Sequence, residues 1–372
     1  MRAPAYLDHN ATSPLRPLAL DAMVEALRLG GNPSAIHSSG RKARSLVDMA
    51  RRRVAALIGC LPSEIVFTSG GTEANNLALR GSGRRRLLVS AIEHASVLKA
   101  SLDAEIIPVD REGVIDLAAL EQMLARKAEP ALVSVMLANN ETGVVQPIGE
   151  VVRLARASHA LVHCDAVQAA GKLAFDIHGL GVDYLSLSAH KLGGPTGVGA
   201  LIVCGGAPLA SDRLGGGQEA NRRAGTENVA GIAGFGAAAE SAQSVLAVAP
   251  LRDRLEATLL RFAPDARVFG AGAPRLDNTS CVSMPGVKAE TQVMALDLAG
   301  VCVSAGAACS SGKVQRSAVL DAMGVGAADA ASAIRVSLGW NTEASDIDRL
   351  IAAWRDLYIR VGKSDTDDAR AA

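Results

Sequence analysis

Short apolar runs separated by helical periodicity fill the first two thirds of the chain. Ile65-Val66-Phe67-Thr68, Leu87-Leu88-Val89, Ile106-Ile107-Pro108-Val109, Leu132 to Leu137, Leu161 to His163, Tyr184 to Leu187 and Gly199 to Val203 are each strand length and rich in branched residues. Helical patterns lie between several of them. One covers 16–30 and ends near Gly30-Gly31. A turn at Asn32-Pro33-Ser34 precedes an Arg/Ala-rich helix to about residue 58. Further helices are expected from near Ala74 and from His94-Ala95-Ser96-Val97. This alternation predicts an α/β domain with a largely parallel sheet.

After about residue 250 the pattern changes. Residues 250–263 read as a helix, Asn278 to Met284 and Ala331 to Leu338 as strands, and 344–360 as a terminal helix. A smaller α+β domain is expected there. The predicted organisation is an irregular arm over 1–15 that belongs with the small domain, a large domain over 16–250, and a small domain over 251–372. The polar tail from Lys363 is expected to fray. No internal repeat or long linker is visible.

Composition narrows the function classes. The 372 residues are 49% hydrophobic but only 3% aromatic, so the core is aliphatic. Lys+Arg and Asp+Glu both total 38, and this balance argues against a broad nucleic-acid face or a polybasic membrane anchor. Arg51-Arg52-Arg53 and Arg84-Arg85-Arg86 read as solvated surface. Val229 to Ala239 is apolar but too short to span a bilayer, and the first residues carry no signal-peptide core. A cytoplasmic protein is expected. Its six cysteines form no CxxC pair and no zinc-like spacing, so free thiols and no bound metal are expected.

The candidate chemistry stands just past the strands. Lys191, in Ser188-Ala189-His190-Lys191, precedes a glycine-rich loop, where an amine can form an imine with an aldehyde cofactor. Asp165 ends another apolar run. Beside a pyridine nitrogen it would keep that nitrogen protonated, and Gln168 could donate to a ring oxygen. Thr68-Ser69-Gly70-Gly71-Thr72-Glu73 passes from strand to helix. It reads either as a simple cap or as a phosphate cradle built from free N–H groups. His94 suits stacking on a ring and proton relay, or a structural role. His163 is flanked by buried strand and is the weaker candidate. Cys309 sits among small and polar residues, Ser304 to Gly312, where a thiolate could act as a nucleophile. In open α/β sheets the binding crevice forms at the carboxyl ends of the strands, which groups these residues.

The chain resembles the cysteine desulfurases, in particular the type with a long catalytic loop (NifS/IscS-like, class-V aminotransferases of pyridoxal phosphate fold type I). The resemblance runs from Tyr6-Leu7-Asp8 to about residue 350. It is carried by Phe67 to Glu73, Asn139-Asn140-Glu141-Thr142-Gly143, His163 to Gln168, Ser188 to Lys191, Arg222-Arg223-Ala224-Gly225-Thr226 and Ile334 to Gly339. It implies a large domain with a mostly parallel seven-stranded sheet that binds pyridoxal 5'-phosphate, and a small domain that carries the cysteine loop. It further implies Lys191 as the Schiff-base lysine, Asp165 on the pyridine nitrogen, Gln168 on the ring oxygen and His94 stacked on the ring. Gly71, Thr72, Ser188 and His190 would contact the phosphate. Thr226 would reach the phosphate of the other subunit of a homodimer. Asn140 and Arg335 would hold the substrate, with Arg335 on its carboxylate, and Cys309 would become a persulfide.

The expected reaction is L-cysteine to L-alanine, with the sulfur passed to an iron–sulfur scaffold or another acceptor. A selenocysteine lyase of the same fold, or a non-catalytic regulator of iron–sulfur assembly, are the competing readings. One local departure stands out. Where relatives read Ser-Ser-Gly-Ser-Ala-Cys, this chain reads Ser304-Ala305-Gly306-Ala307-Ala308-Cys309, two hydroxyls fewer.

Overall fold

All seven apolar runs of the first 203 residues enter one sheet. After a two-residue strand β1 (Ala5–Tyr6) in the arm come β2 (Ile65–Thr68), β3 (Arg86–Ser90), β4 (Glu105–Ile107), β5 (Ala131–Ser134), β6 (Leu161–Asp165), β7 (Tyr184–Ser188) and β8 (Gly199–Val203). They lie in the order β2-β8-β7-β6-β5-β3-β4. β4, β3, β5, β6 and β7 are mutually parallel, and β8 runs antiparallel to both β7 and β2. The computed structural model describes residues 3–100, 103–126, 129–243, 247–306 and 316–371, those after 361 by backbone alone.

The central strands read as continuous apolar runs because both faces are covered. One face packs Leu88, Val133, Val162, Leu185 and Ile202 into the main core, and the other packs Val89, Leu132, Tyr184 and Leu201. Chain order breaks between β3 and β5, so the sheet's switch point opens there. The carboxyl ends of β3, β5, β6 and β7 converge on that crevice.

The apolar run at 229–239 is a helix, Val229–Ser241, and its burial explains its composition. It lies against the helices Pro17–Leu29 and Ser38–Ile58. A Cβ on Gly236 would stand 2.5 Å from the Ala50 Cα, and one on Gly234 would stand 2.6 Å from Met23. Only small residues let these backbones approach so closely. Among the described residues no helix is long and apolar enough to cross a membrane.

The second core is built from β9 (Thr279–Ser283), β10 (Val301–Cys302), β11 (Ser304–Ala305) and β12 (Ala333–Ser337). β11-β12-β9 form an antiparallel sheet, and β1 pairs in parallel with β10. Leu255, Leu259, Ile334, Val336, Leu350 and Trp354 fill this core together with Ala5 and Leu7 of the arm. The six residues 279–284 alternate poorly yet are fully buried, because helices and the arm enclose them.

Boundaries differ from the sequence expectation in several places; the strand expected over Leu132 to Leu137, for example, ends at Ser134. The helix expected from Ala74 starts at Gly71, because the backbone of Gly70 accepts from Ala74 and opens the helix a turn earlier. The strand expected from Ala331 starts at Ala333, because the alanine-rich stretch Ala327–Ala331 forms its own short helix. The terminal helix runs from Ala344 to Ala371 rather than stopping near 360. After Gly362 the sequence offers no further glycine and no proline to stop it.

Candidate active site

Ten of the twelve residues singled out above line one cavity of about 460 Å³ at the carboxyl ends of β3, β5, β6 and β7. A larger cavity of about 570 Å³, between Arg44, Arg51, Arg222 and Glu227, contains none of them. Thr226 is exposed and lies outside the cavity of its own chain. Cys309 lies outside the described residues.

Lys191 closes a single 3-10 turn that follows β7 directly. Its Nζ donates to the backbone carbonyls of Asn10, at 2.5 Å, and Ala11, at 2.9 Å. Burial, then the nearby Arg335 cation, push its amine down to about 8, while Asp165 and Asp8 oppose this. About a tenth of the molecules therefore carry a neutral, nucleophilic amine at pH 7, far more than an ordinary lysine would.

Asp165 ends β6 with both oxygens engaged. Oδ1 accepts from the backbone N–H of Val167 at 2.9 Å, and Oδ2 accepts from Asn75 Nδ2 at 2.7 Å. Asn75 also donates to Ser96 Oγ at 2.9 Å. Glu93 lies wholly buried nearby and accepts from the Met136 N–H at 2.5 Å. Burial first, then repulsion from Asp165, raise Glu93 well above the usual carboxyl range.

His94 caps the helical turn Ala95–Leu98. Its Nδ1 accepts from the Ser96 backbone N–H at 3.1 Å, so in the neutral ring the proton sits on Nε2. Burial lowers its pKa, Asp165 partly offsets this, and Lys191 adds to it. His163 is structural. It is fully buried, bonds Ser134 Oγ and Ser186 Oγ through its two nitrogens at 2.8 and 2.9 Å, and is pushed to about 4 by burial.

At the other end stands the N-terminus of the helix Gly71–Gly81. Its N-cap, Gly70, makes no side-chain cap, so the first-turn N–H groups remain free for a ligand. A Cβ on Gly71 would press to 2.9 Å from Val167 Cγ2 and 3.5 Å from Ser188 Cβ, filling the space between helix and sheet. His190 bonds Thr12 Oγ1 at 3.0 Å through Nδ1, and burial lowers it to about 4, so it faces the cavity as a neutral ring.

Arg335 enters from β12 and is only 3% exposed. Nη2 donates to Asp8 Oδ1 at 2.7 Å and Nη1 to the Asn140 carbonyl at 3.2 Å, while Nε is buried without a partner. Asp8 also accepts from Ser304 Oγ at 2.7 Å, and Ser304 lies opposite Arg335 in the β11–β12 ladder. Asn140 is held at the cavity by a turn in which Asn139 Oδ1 accepts from the N–H groups of Glu141 and Thr142. Ala305 lies inside the second core, so the methyl that replaces a hydroxyl there packs against apolar neighbours.

Glu141 accepts from Ser317 Oγ at 2.5 Å, and burial pushes its carboxyl up to about 7 against the lowering effects of Ser317 and Arg335. A raised carboxyl binds its proton more tightly folded than unfolded. The native state therefore loses stability as pH rises from 4.5 to 7, by on the order of 3 kcal/mol. Glu141→Gln is expected to flatten that dependence, read as Tm by circular dichroism across this range. An unchanged slope in the variant would refute the assignment.

Sequence reasoning missed Asp8, Asn10, Asn75, Glu93 and Lys172. Asn75 stands one turn into the helix that Gly71 opens, and its helical spacing from Gly71 was the available signal. The others act through contacts that no local pattern marks.

The chain matches the class-V aminotransferase family over residues 5–350. It is 47% identical over 363 residues to a cysteine desulfurase of Cereibacter sphaeroides, covering 93% of each chain. The solved NifS-like protein of Rickettsia africae superposes with a TM-score of 0.88 at 35% identity, covering 95% of this chain and 99% of the other. The structure of SspA in complex with cysteine superposes with a TM-score of 0.79 at 30% identity, covering 90% and 98%. Fold, cavity and kinship agree, and the chain belongs to the cysteine desulfurases of the class-V aminotransferase family.

Proposed function

We propose that the protein uses pyridoxal 5'-phosphate to convert L-cysteine to L-alanine and retains the sulfur as a persulfide on Cys309. The observation that carries this reading is the single cavity that gathers a depressed lysine, a twice-bonded aspartate, a free helix N-terminus and a buried arginine with an unpaired N–H. The cofactor fits this donor set. The uncapped helix start with Thr72, Ser188 and His190 suits its phosphate, Asp165 its ring nitrogen and Gln168 its ring oxygen. Bound there, the cofactor supplies an electron sink for charge that develops on the substrate's α-carbon.

The chain's own residues do the rest. Arg335 Nε and Asn140 orient the substrate carboxylate. Lys191 would tether the cofactor and, as a free amine, is a base already lowered toward neutrality that would take the α-proton. His94, with its proton on Nε2 in the neutral ring, could give or take a proton in the cavity. The Cys309 thiolate attacks the substrate sulfur, so the carbon–sulfur bond breaks as the sulfur–sulfur bond forms. The carbon fragment gains protons and leaves as L-alanine. Ser304 lines the cavity and Gly306 follows two residues later.

The exposed Thr226 and the exposed apolar Leu214 and Ile36 support a two-fold dimer in which Thr226 serves the partner's phosphate site. The five described cysteines are all free thiols, which suits a cytoplasmic enzyme that feeds an iron–sulfur scaffold or another acceptor. Absorbance spectra before and after L-cysteine, followed by intact mass, test the whole reading. A visible cofactor band and a one-sulfur adduct on Cys309 are expected, and alanine without any adduct overturns the persulfide step. Arg335→Ala is expected to raise KM for L-cysteine on the order of a hundredfold in alanine-formation assays, the worth of a charge-assisted pair. Arg335→Lys should fall between, and an unchanged KM in both would remove Arg335 from the substrate.

A further inference from the structure

Lys172 is a lysine inside the protein with no counter-ion. It is 7% exposed, and among the described residues no carboxylate lies within ion-pair distance of it. Its Nζ donates to Gln168 Oε1 at 2.7 Å and to Asn10 Oδ1 at 2.8 Å. The charged groups acting on it are the cations of Lys191 and Arg335, and it in turn acts on His9 and His190, both of which burial lowers to about 4. An apolar side chain would fill the same space at lower cost.

We propose that Lys172 is a positioning residue that fixes the Gln168 amide with its nitrogen toward the cofactor and holds Asn10 beneath Lys191. Gln168 Nε2 donates to the Asn10 carbonyl at 3.0 Å while Oε1 accepts from Lys172. Reversing the amide would set its nitrogen against an amine donor and its oxygen against a carbonyl, losing both bonds. One Nε2 hydrogen is thereby committed to Asn10, and the other is free for the cavity. Asn10 is fixed just as completely. Its Oδ1 accepts from Lys172 and from Asn278 Nδ2, and its Nδ2 donates to Thr279 Oγ1 and the Asn140 carbonyl. Its own carbonyl carries the Lys191 Nζ. Burial first, then Lys191 and Arg335, hold the Lys172 amine well below its ordinary range.

This inference rests on the cofactor reading above. Its test is the pH midpoint of the visible band in the pyridoxal-phosphate-loaded enzyme. Methionine is unbranched and nearly as long as lysine but donates nothing, so Lys172→Met frees the Gln168 amide to reverse. A donor on the ring oxygen weakens that oxygen's hold on the proton of the neighbouring lysine–cofactor nitrogen. Losing it is expected to raise the midpoint by about one unit, the worth of one hydrogen bond.

Gln168→Ala should give the same shift, and Lys172→Met should add less than about 0.3 unit in that background. An unmoved midpoint at full cofactor occupancy, or additive shifts in the double variant, overturns the proposal. If Lys172→Met does not fold, Lys172→Gln keeps one donor and should shift the midpoint less but in the same direction; no shift there also overturns it. Wild-type protein that develops no visible band with pyridoxal phosphate overturns the cofactor reading itself.

Discussion

Lys191→Ala is expected to lower alanine formation from L-cysteine by about four orders of magnitude or more, because in the proposed reaction one residue both anchors the cofactor and moves the α-proton. Borohydride treatment of wild-type protein loaded with pyridoxal phosphate should leave a reduced adduct on the peptide that contains Lys191, and the variant should carry none. The fold should tolerate the change. Lys191 lies on a single turn, its burial disfavours its own charge, and the Asn10 carbonyl keeps the Gln168 donor after the amine is gone. An adduct at another lysine, or normal turnover by the variant, would dismantle the site as drawn.

The second large effect is expected of Cys309→Ala. Its residues for cofactor and substrate are untouched, so the visible band and its response to L-cysteine should match wild type. Persulfide, measured as added mass after a single turnover, should fall to background, and sulfur delivery should fall with it. The other cysteines are poor substitutes. Cys164 and Cys281 are wholly buried, burial pushes Cys60 and Cys204 up to about 12, and burial, then Asp297 and Asp8, raise Cys302, so thiolate at these positions is scarce near neutrality. Undiminished sulfur transfer by Cys309→Ala would move the reading toward direct elimination, the chemistry of a selenocysteine lyase.

The sequence made the site legible where chemistry follows a strand directly. Asp165 and Lys191 stand at the ends of β6 and β7, and parallel neighbours bring their carboxyl ends together without further information. The glycines before Thr72 announced a helix start for the same reason. His163 could be set aside from its flanks alone, and the two serines that hold it confirm why.

What stayed hidden depends on separation along the chain. Asp8 meets Arg335 across 327 residues, and Lys172 meets Asn10 across 162. Lys172 looks like any surface lysine in Gly171-Lys172-Leu173, because periodicity reports which face a side chain takes and not what crosses over it. Glu141 likewise reads as part of a polar turn until Ser317, 176 residues later, closes over it.

The arm has a consequence for how the protein is made. Asp8 and Asn10 leave the ribosome well before their partners Arg335, Asn278 and Ser337, which lie 327, 268 and 327 residues away from them along the chain. At roughly 5–20 residues per second, the arm waits on the order of tens of seconds for these partners. During that interval β2 to β8 can already pair, so the parallel sheet is assembled before anything is available to seat the arm. Completion of the candidate cavity therefore waits for residue 335, and a chain terminated before it lacks Arg335, one of the residues that line that cavity.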